Sequence, residues 1–301
     1  MLSGKIIHSP NYRVSLEGHV VPTEKYDLIK ERLVQRKLAD DEDFLEPGLP
    51  SDELILLVHE REYLEDLKAI RVTRRTWRSE LPVNTAIVHS AMYSVSGTVL
   101  ATEQARQHRF GIHLGGGYHH AFPDHGEGFC YLNDVAIAVR DALNRGICRR
   151  PAVVDCDLHQ GNGTAVIFAE DPRVMTFSIH QEDIYPLKEK SSLDIGLAAG
   201  TGDLDYLRQL EQGMDRVVRF KPDFIFYLAG TDPYKYDKLG GLLLTKKGMN
   251  QRDELVLVEC AKREIPCVIT LAGGYAIELE DTVQLHTQTV AIALSLQRSH
   301  P

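Results

Sequence analysis

The chain has 301 residues and 34 basic against 43 acidic side chains, a net charge of −9. With no basic block beyond Arg71–Arg78, nucleic-acid binding is excluded as its main task. At 43% hydrophobic and 26% charged residues it is too apolar for a disordered chain, and no apolar run approaches the ~20 residues of a membrane span.

Taken in chain order, the pattern predicts a strand over Lys5–His8, helices over Ser51–Ile70 and Thr85–Gln107, and a strand over Phe110–Leu114. A helix over Asn133–Asn144 and strands over Ala152–Asp157 and Val174–Ile179 follow. Glu182–Asp203 has weak periodicity and reads as a surface loop of a length that usually serves a site. The remainder alternates: helix Asp205–Phe220, strand Phe224–Leu228, helix Lys247–Lys262, strand Cys267–Leu271 and helix Glu278–Leu296. Continuous apolar strands separated by helices imply an α/β protein with an open parallel β-sheet and helices on both faces. No repeat or flexible linker divides the chain, so residues 1–301 read as a single domain.

The opening Met1-Leu2-Ser3-Gly4-Lys5 lacks the apolar core of a signal peptide. The five cysteines are odd in number and form no CxxC pair, which argues against a disulfide framework and for a reducing, cytoplasmic compartment.

Five of the strands end in residues suited to chemistry: Gly115-Gly116-Gly117-Tyr118-His119-His120, Asp155-Cys156-Asp157-Leu158-His159, Ser178-Ile179-His180, Ala229-Gly230-Thr231-Asp232 and Ala272-Gly273-Gly274-Tyr275. Ligands of parallel α/β sheets bind at the carboxyl ends of strands, so five such endings point to one shared site. In Asp155-x-Asp157-x-His159 the period of a strand puts all three side chains on one face. Carboxylate and imidazole suit Zn²⁺ or Fe²⁺, and Asp232 is a candidate third ligand, leaving an open position of the catalytic type. The bland alternative makes Asp155 and Asp157 turn caps and His159 a buried hydrogen-bonded residue. His119-His120 suits acid–base work near neutral pH, or is an ordinary polar loop. Tyr275 can point into a cleft and donate to an oxyanion, or pack beneath its turn. His59-Glu60-Arg61-Glu62-Tyr63 begins like a zinc-protease helix, but Tyr63 stands where the second His is needed. No dinucleotide fingerprint, nucleophile elbow or Walker loop is present.

Gly116-Gly117-Tyr118-His119-His120-Ala121, Gly128-Phe129-Cys130-Tyr131-Leu132-Asn133-Asp134, Asp155 to Gly163, and Ala272-Gly273-Gly274-Tyr275, in this order and spacing, resemble the zinc-dependent histone deacetylase family of the arginase–deacetylase superfamily. The resemblance runs from Pro22-Thr23-Glu24-Lys25-Tyr26 to the last helix. Gln160 and the stretch Asp237-Lys238-Leu239-Gly240-Gly241 look like the class IV branch and its bacterial relatives. The resemblance implies Asp157, His159 and Asp232 as metal ligands, His119 and His120 as the catalytic pair, and Asp155 and Asn162 as their respective partners. Many members carry Asp where this chain has Asn162, so His120 is expected to be less basic than with a carboxylate partner. Tyr275 matches the oxyanion-stabilising tyrosine, Phe129 one wall of the acyl-lysine tunnel, and Gly128 a backbone contact to the substrate amide. The second aromatic wall departs from the family pattern, and Ile184 and Tyr185 both stand as candidates. A structural K⁺ site is implied at Asp155, Asp157, His159 and Ser178.

The implied function is metal-dependent removal of acetyl or longer acyl groups from lysine side chains of a protein or peptide. A deacylase of acetylated polyamines or similar small amines shares every catalytic residue and is the alternative. A two-metal arginase-like ureohydrolase would want a further carboxylate where Gly161-Asn162 stands, and a non-catalytic binding protein would not need all these positions filled. Nothing in the sequence fixes the oligomeric state.

Overall fold

Ala152-Val153-Val154 are apolar on both sides of the chain, as a strand covered from above and below must be. In a computed structural model, which describes residues 2, 4–16 and 18–299, they lie inside an eight-stranded sheet. Met1 and Ser3, within the segment read for a signal peptide, lie outside the described residues.

The strands are β1 (Ile6–Ile7), β2 (Phe44–Leu45), β3 (Phe110–His113), β4 (Pro151–Asp155), β5 (Met175–Gln181), β6 (Leu193–Leu197), β7 (Phe224–Leu228) and β8 (Cys267–Thr270). Their order is β2-β1-β3-β8-β7-β4-β5-β6, with every pair parallel. The helices are α1 (Lys25–Gln35), α2 (Asp52–Ile55), α3 (Arg61–Lys68), α4 (Arg74–Trp77), α5 (Thr85–His108), α6 (Asp134–Asn144), α7 (Asn162–Phe168), α8 (Asp203–Phe220), α9 (Lys246–Lys262) and α10 (Leu279–Ser299).

Strand alternation sorts the core into two layers. Ala152, Val154, Ile225 and Tyr227 pack with Leu210, Met214, Val256 and Val283 from α8, α9 and α10. Val153, Phe224, Phe226 and Leu228 pack on the other face with Ala101 and Ala105 of α5 and Val135 and Val139 of α6. Each fully buried Val, Leu, Ile, Phe or Met side chain among these contributes about 1.5–3 kcal/mol. A Cβ at Gly111 would run into the Ala101 carbonyl, so glycine there lets α5 lie close on β3. Asn84 and Asn133 cap α5 and α6 through Ile87 N (3.0 Å) and Ala136 N (2.9 Å).

Three expectations are corrected. The helix predicted over Ser51–Ile70 is two, α2 and α3, because the intervening residues dock instead. Glu60 N donates to Pro123 O (2.8 Å), and the His59 ring binds Phe122 O and Asn133 N, each at 3.0 Å. Glu182–Asp203 is not all loop: it contains β6, whose Leu193, Ile195 and Leu197 alternate with Asp194 and Gly196 at the sheet edge. β4 stops at Asp155 rather than Asp157, so strand periodicity does not carry the side chains beyond it. Among the described residues all five cysteines are buried and unpaired, and no helix is long and apolar enough to cross a membrane.

Candidate active site

The turn after β3 uses positive φ at Gly116 (68°) and Gly117 (85°), a region open to glycine. The buried carboxylate of Asp134, at the start of α6, holds this turn by accepting from Gly117 N (3.0 Å), Tyr118 N (2.8 Å) and Thr98 Oγ1 (2.5 Å). The turn delivers His119 and His120 side by side, their Nε2 atoms 3.1 Å apart. His119 Nδ1 donates to Asp155 Oδ2 at 2.7 Å, and His120 Nδ1 donates to Asn162 Oδ1 at 2.8 Å. Asn162 in turn donates from Nδ2 to the buried Glu127 (2.7 Å), which fixes the orientation of its amide. Burial opposes charge on His119, but Asp155 and Asp157 outweigh it and push the ring up to about 9. Burial, with His119 and His159 beside it, pushes His120 well below its ordinary value.

Past Asp155 the chain bends on its own carboxylates: Asp157 N donates to Asp155 Oδ1 (3.1 Å) and His159 N to Asp157 Oδ1 (3.0 Å). These turns, rather than strand alternation, bring Asp157 and His159 together. Asp232 arrives from the end of β7, the neighbour of β4, and accepts from Leu158 N at 3.0 Å. One ligand atom from each of Asp157, His159 and Asp232 can be chosen so that all lie within 4.8 Å of one another. Burial and then Asp157 push Asp232 up to about 6, whereas His119 and His159 outweigh burial at Asp157 and hold it low.

This donor set fits a divalent cation. Asp232 Oδ2 is buried without a hydrogen-bond partner, a costly state that a cation would relieve. Cβ atoms at Gly230 and Gly273 would press into the Asp157 and Asp232 carboxylates, so the cradle is shaped around them. Below it, the fully buried Arg252 of α9 binds the carbonyls of Cys156 (3.3 Å) and Gly230, at the ends of β4 and β7, and its charge is met by Asp253 at 2.7 Å.

Asp157, His159, His119 and His120 line a cavity of about 350 Å³ together with Gly128, Phe129, Tyr185 and Tyr275; Asp232 lies just behind its wall. Tyr275 is oriented by its main chain, whose N–H donates to Asp237 Oδ2 at 2.7 Å. Its ring meets that of Phe129 at 6.2 Å, and burial next to Asp232 and Asp157 keeps the phenol protonated. Of the two candidates for the second wall, Tyr185 lines the cavity, edge-on to His120 at 5.4 Å, while Ile184 packs against the core. Gln160 anchors this loop, donating to Glu189 O (2.6 Å) and Asp194 Oδ1 (2.8 Å). Ser178 sits opposite Asp155 in the β4–β5 register, and its hydroxyl pairs with His180 Nδ1 at 2.9 Å.

Sequence reasoning missed Glu127 and Lys25. Lys25, 2% exposed, donates to Ala272 O at 2.9 Å and lines the cavity; burial lowers it to about 8 against the pull of Asp232 and Asp157. A lysine inside the otherwise apolar stripe Tyr26, Ile29, Leu33 of an amphipathic helix was the available signal. His59 proves structural, as the failed zinc-protease pattern implied.

Fold and site together define a class: parallel α/β proteins with a candidate metal centre at the carboxyl edge of the sheet. The Histone deacetylase domain family matches residues 19–290. An uncharacterized protein of Picosynechococcus sp. is 38% identical over 286 residues, 94% of this chain and 95% of that one. Histone deacetylase 2 of Arabidopsis thaliana is 30% identical over 286 residues, 90% of this chain and 74% of the relative. The crystal structure of an HDAC homolog from Aquifex aeolicus superposes with a TM-score of 0.82 at 22% identity, covering 97% of this chain and 83% of that one. The chain belongs to the histone deacetylase family, and is a hydrolase of the deacetylase type.

Proposed function

We propose that the protein hydrolyses the amide of acyl-lysine side chains, with Zn²⁺ held by Asp157, His159 and Asp232; Fe²⁺ is the alternative that the same donors accept. The observation that carries this reading is the convergence in one cavity of a metal-ligating group, a buttressed histidine pair and a phenol. The bound ion supplies a Lewis acid for the acyl carbonyl and the attacking water.

The rest falls to the protein. Phe129 and Tyr185 clasp the aliphatic lysine stem, and the Gly128 main chain meets the amide. His120 spends its Nδ1 proton on Asn162, so its Nε2, 3.1 Å from His119 Nε2, carries no proton of its own and is the atom that accepts one from water. Asp155 locks His119 in the matching orientation, and the pair returns a proton to the departing amine. The Tyr275 hydroxyl donates to the developing oxyanion. Residues 1–301 act as one catalytic domain; in support, β1 and β2 from the N-terminal part and α10 from the C-terminal part pack on the same sheet. The buried free cysteines support a reducing, cytoplasmic setting. Acetyl- and longer acyl-lysine peptides and acetylated polyamines, assayed with defined metals, test the reading. We expect carboxylate release from the peptides by the Zn²⁺-loaded protein. Absence of release from every substrate with stoichiometric metal bound would overturn it.

A further inference from the structure

The two histidines of the pair are not buttressed alike. His119 Nδ1 bonds a carboxylate directly, at Asp155 Oδ2 (2.7 Å). His120 Nδ1 bonds an amide, at Asn162 Oδ1 (2.8 Å), and a carboxylate stands behind it: Asn162 Nδ2 donates to Glu127 Oε1 at 2.7 Å. Glu127 is only 9% exposed and is held on several sides. Its main chain exchanges hydrogen bonds with Cys130 (3.0 and 2.8 Å) across the turn that carries Gly128 and Phe129. Gly126 N to Arg75 O (3.0 Å) and Phe129 N to Ser79 O (2.8 Å) pin that turn to the segment bearing Arg78. Arg78 then reaches Glu127 Oε2 at 2.6 Å, and His125 Nε2 lies 3.5 Å from the same oxygen. Burial opposes the charge of Glu127, but His125, Asn162 and Arg78 outweigh it and hold the carboxyl below its usual range. A neutral side chain could orient the Asn162 amide equally well. A buried carboxylate carries a desolvation cost that orientation alone does not call for.

We infer that Glu127 is a positioning residue for the reaction, lending His120, through the Asn162 amide, the negative charge that His119 receives directly from Asp155. The inference rests on His120 as the proton acceptor in the reading above, and adds to it a residue outside the cavity wall. An amide that donates to a carboxylate is polarised by it, so Asn162 Oδ1 holds the His120 Nδ1 proton more tightly when Glu127 is charged. The ring becomes positive on taking a proton from water, and a charge behind the amide favours that state. The amide passes on polarisation but no proton, so the proton taken up stays with the histidine pair until the amine departs.

The test moves the charge between the two positions in Zn²⁺-loaded protein, with Glu127→Gln, Asn162→Asp and both together. Glu127→Gln keeps the shape and an oxygen for Asn162 but loses the charge, so kcat should fall about tenfold with KM unchanged. Asn162→Asp sets a second carboxylate against Glu127 in a buried site, and kcat should fall at least as far. The double variant again has one carboxylate behind His120, now in direct contact and receiving a hydrogen bond from the introduced amide. Its kcat should recover to about tenfold above that of the weaker single variant, a coupling that a merely structural role would not produce. The His120 Nδ1 proton resonance, in histidine-labelled protein, reads the same bond whether or not hydrolysis occurs. It should move upfield in Glu127→Gln and return downfield in the double variant. An unmoved resonance or an unchanged kcat in Glu127→Gln, or a double variant no better than its weaker parent, overturns the inference and leaves the deacylase reading standing. The expected resonance shifts in a wild type that releases no carboxylate from any substrate support the charge on His120 and sink the deacylase reading.

Discussion

Two sets of buried histidines lie close together in this fold and do different things. His113 and His59 are satisfied at both ring nitrogens: His113 by Thr98 Oγ1 (3.0 Å) and Tyr12 OH (2.8 Å), His59 by Phe122 O and Asn133 N. Burial then pushes them down to about 3 and about 4, and they remain neutral structural pins. His119 and His120 have one nitrogen each fixed by Asp155 and Asn162, and their other nitrogens meet only each other, at 3.1 Å, on the wall of the cavity. The carboxylates divide the same way, Asp134 saturated by donors and Asp232 left with an oxygen that no hydrogen bond satisfies, 3.4 Å from His159 Nδ1. Burial alone does not mark a reactive group, and neither does a buried atom without a partner, since Tyr206 OH and His286 Nδ1 are such atoms too; what sets the site apart is that several such groups gather at one cavity.

The sharpest way to break this contrast is at Asp232. Asp232→Ala should weaken metal binding by more than the about 10–100-fold typical of losing a residue that only orients a ligand. Turnover should vanish, while chelated wild type recovers with added Zn²⁺; metal content and activity of the same samples check this. Next comes Tyr275→Phe, which removes one donor and should lower kcat by about 10²–10³-fold without loss of metal. Unchanged turnover would take Tyr275 out of the reaction. Asn162→Ala frees the His120 ring and should cost roughly 10–100-fold in kcat, with thermal stability following the loss of one buried contact rather than the loss of activity.

The smallest effect concerns the structural set and appears only in stability. The folded pKa of His59, about 4, lies below its ordinary 6.5, so between these values the unfolded chain binds more protons. The stabilisation is therefore complete above pH 6.5 and is lost as pH falls toward 4, at up to about 1.4 kcal/mol per pH unit. Denaturant titrations at stepped pH should show His59→Leu less stable at pH 7 but flatter across this window. An unaltered slope would mean that His59 is not held neutral.

Much of this was legible before any coordinates. The interior strands announced themselves because both faces are buried, and the chemistry at their ends because a parallel sheet gathers those ends on one edge. The pairing of His119 with Asp155 and of His120 with Asn162 came from the resemblance, and the distances agree with it. Short edge strands were missed because two residues, as in β2, carry no period to read. The period of β6 was present but hidden between polar runs. Glu127 could not be found from the chain alone, since its contact with Asn162 spans 35 residues and depends on how a loop meets the start of α7.

Arg252 touches main-chain oxygens rather than side chains at Cys156 and Gly230, so its grip is indifferent to what those positions carry outward. It joins the tips of two strands that are far apart along the chain before any ion arrives. The disorder given up in assembling the coordination sphere is thus given up during folding, and little of it is left to oppose capture of the ion. Such a template should discriminate among cations by size and geometry more than by charge, because it cannot relax to suit a poor fit.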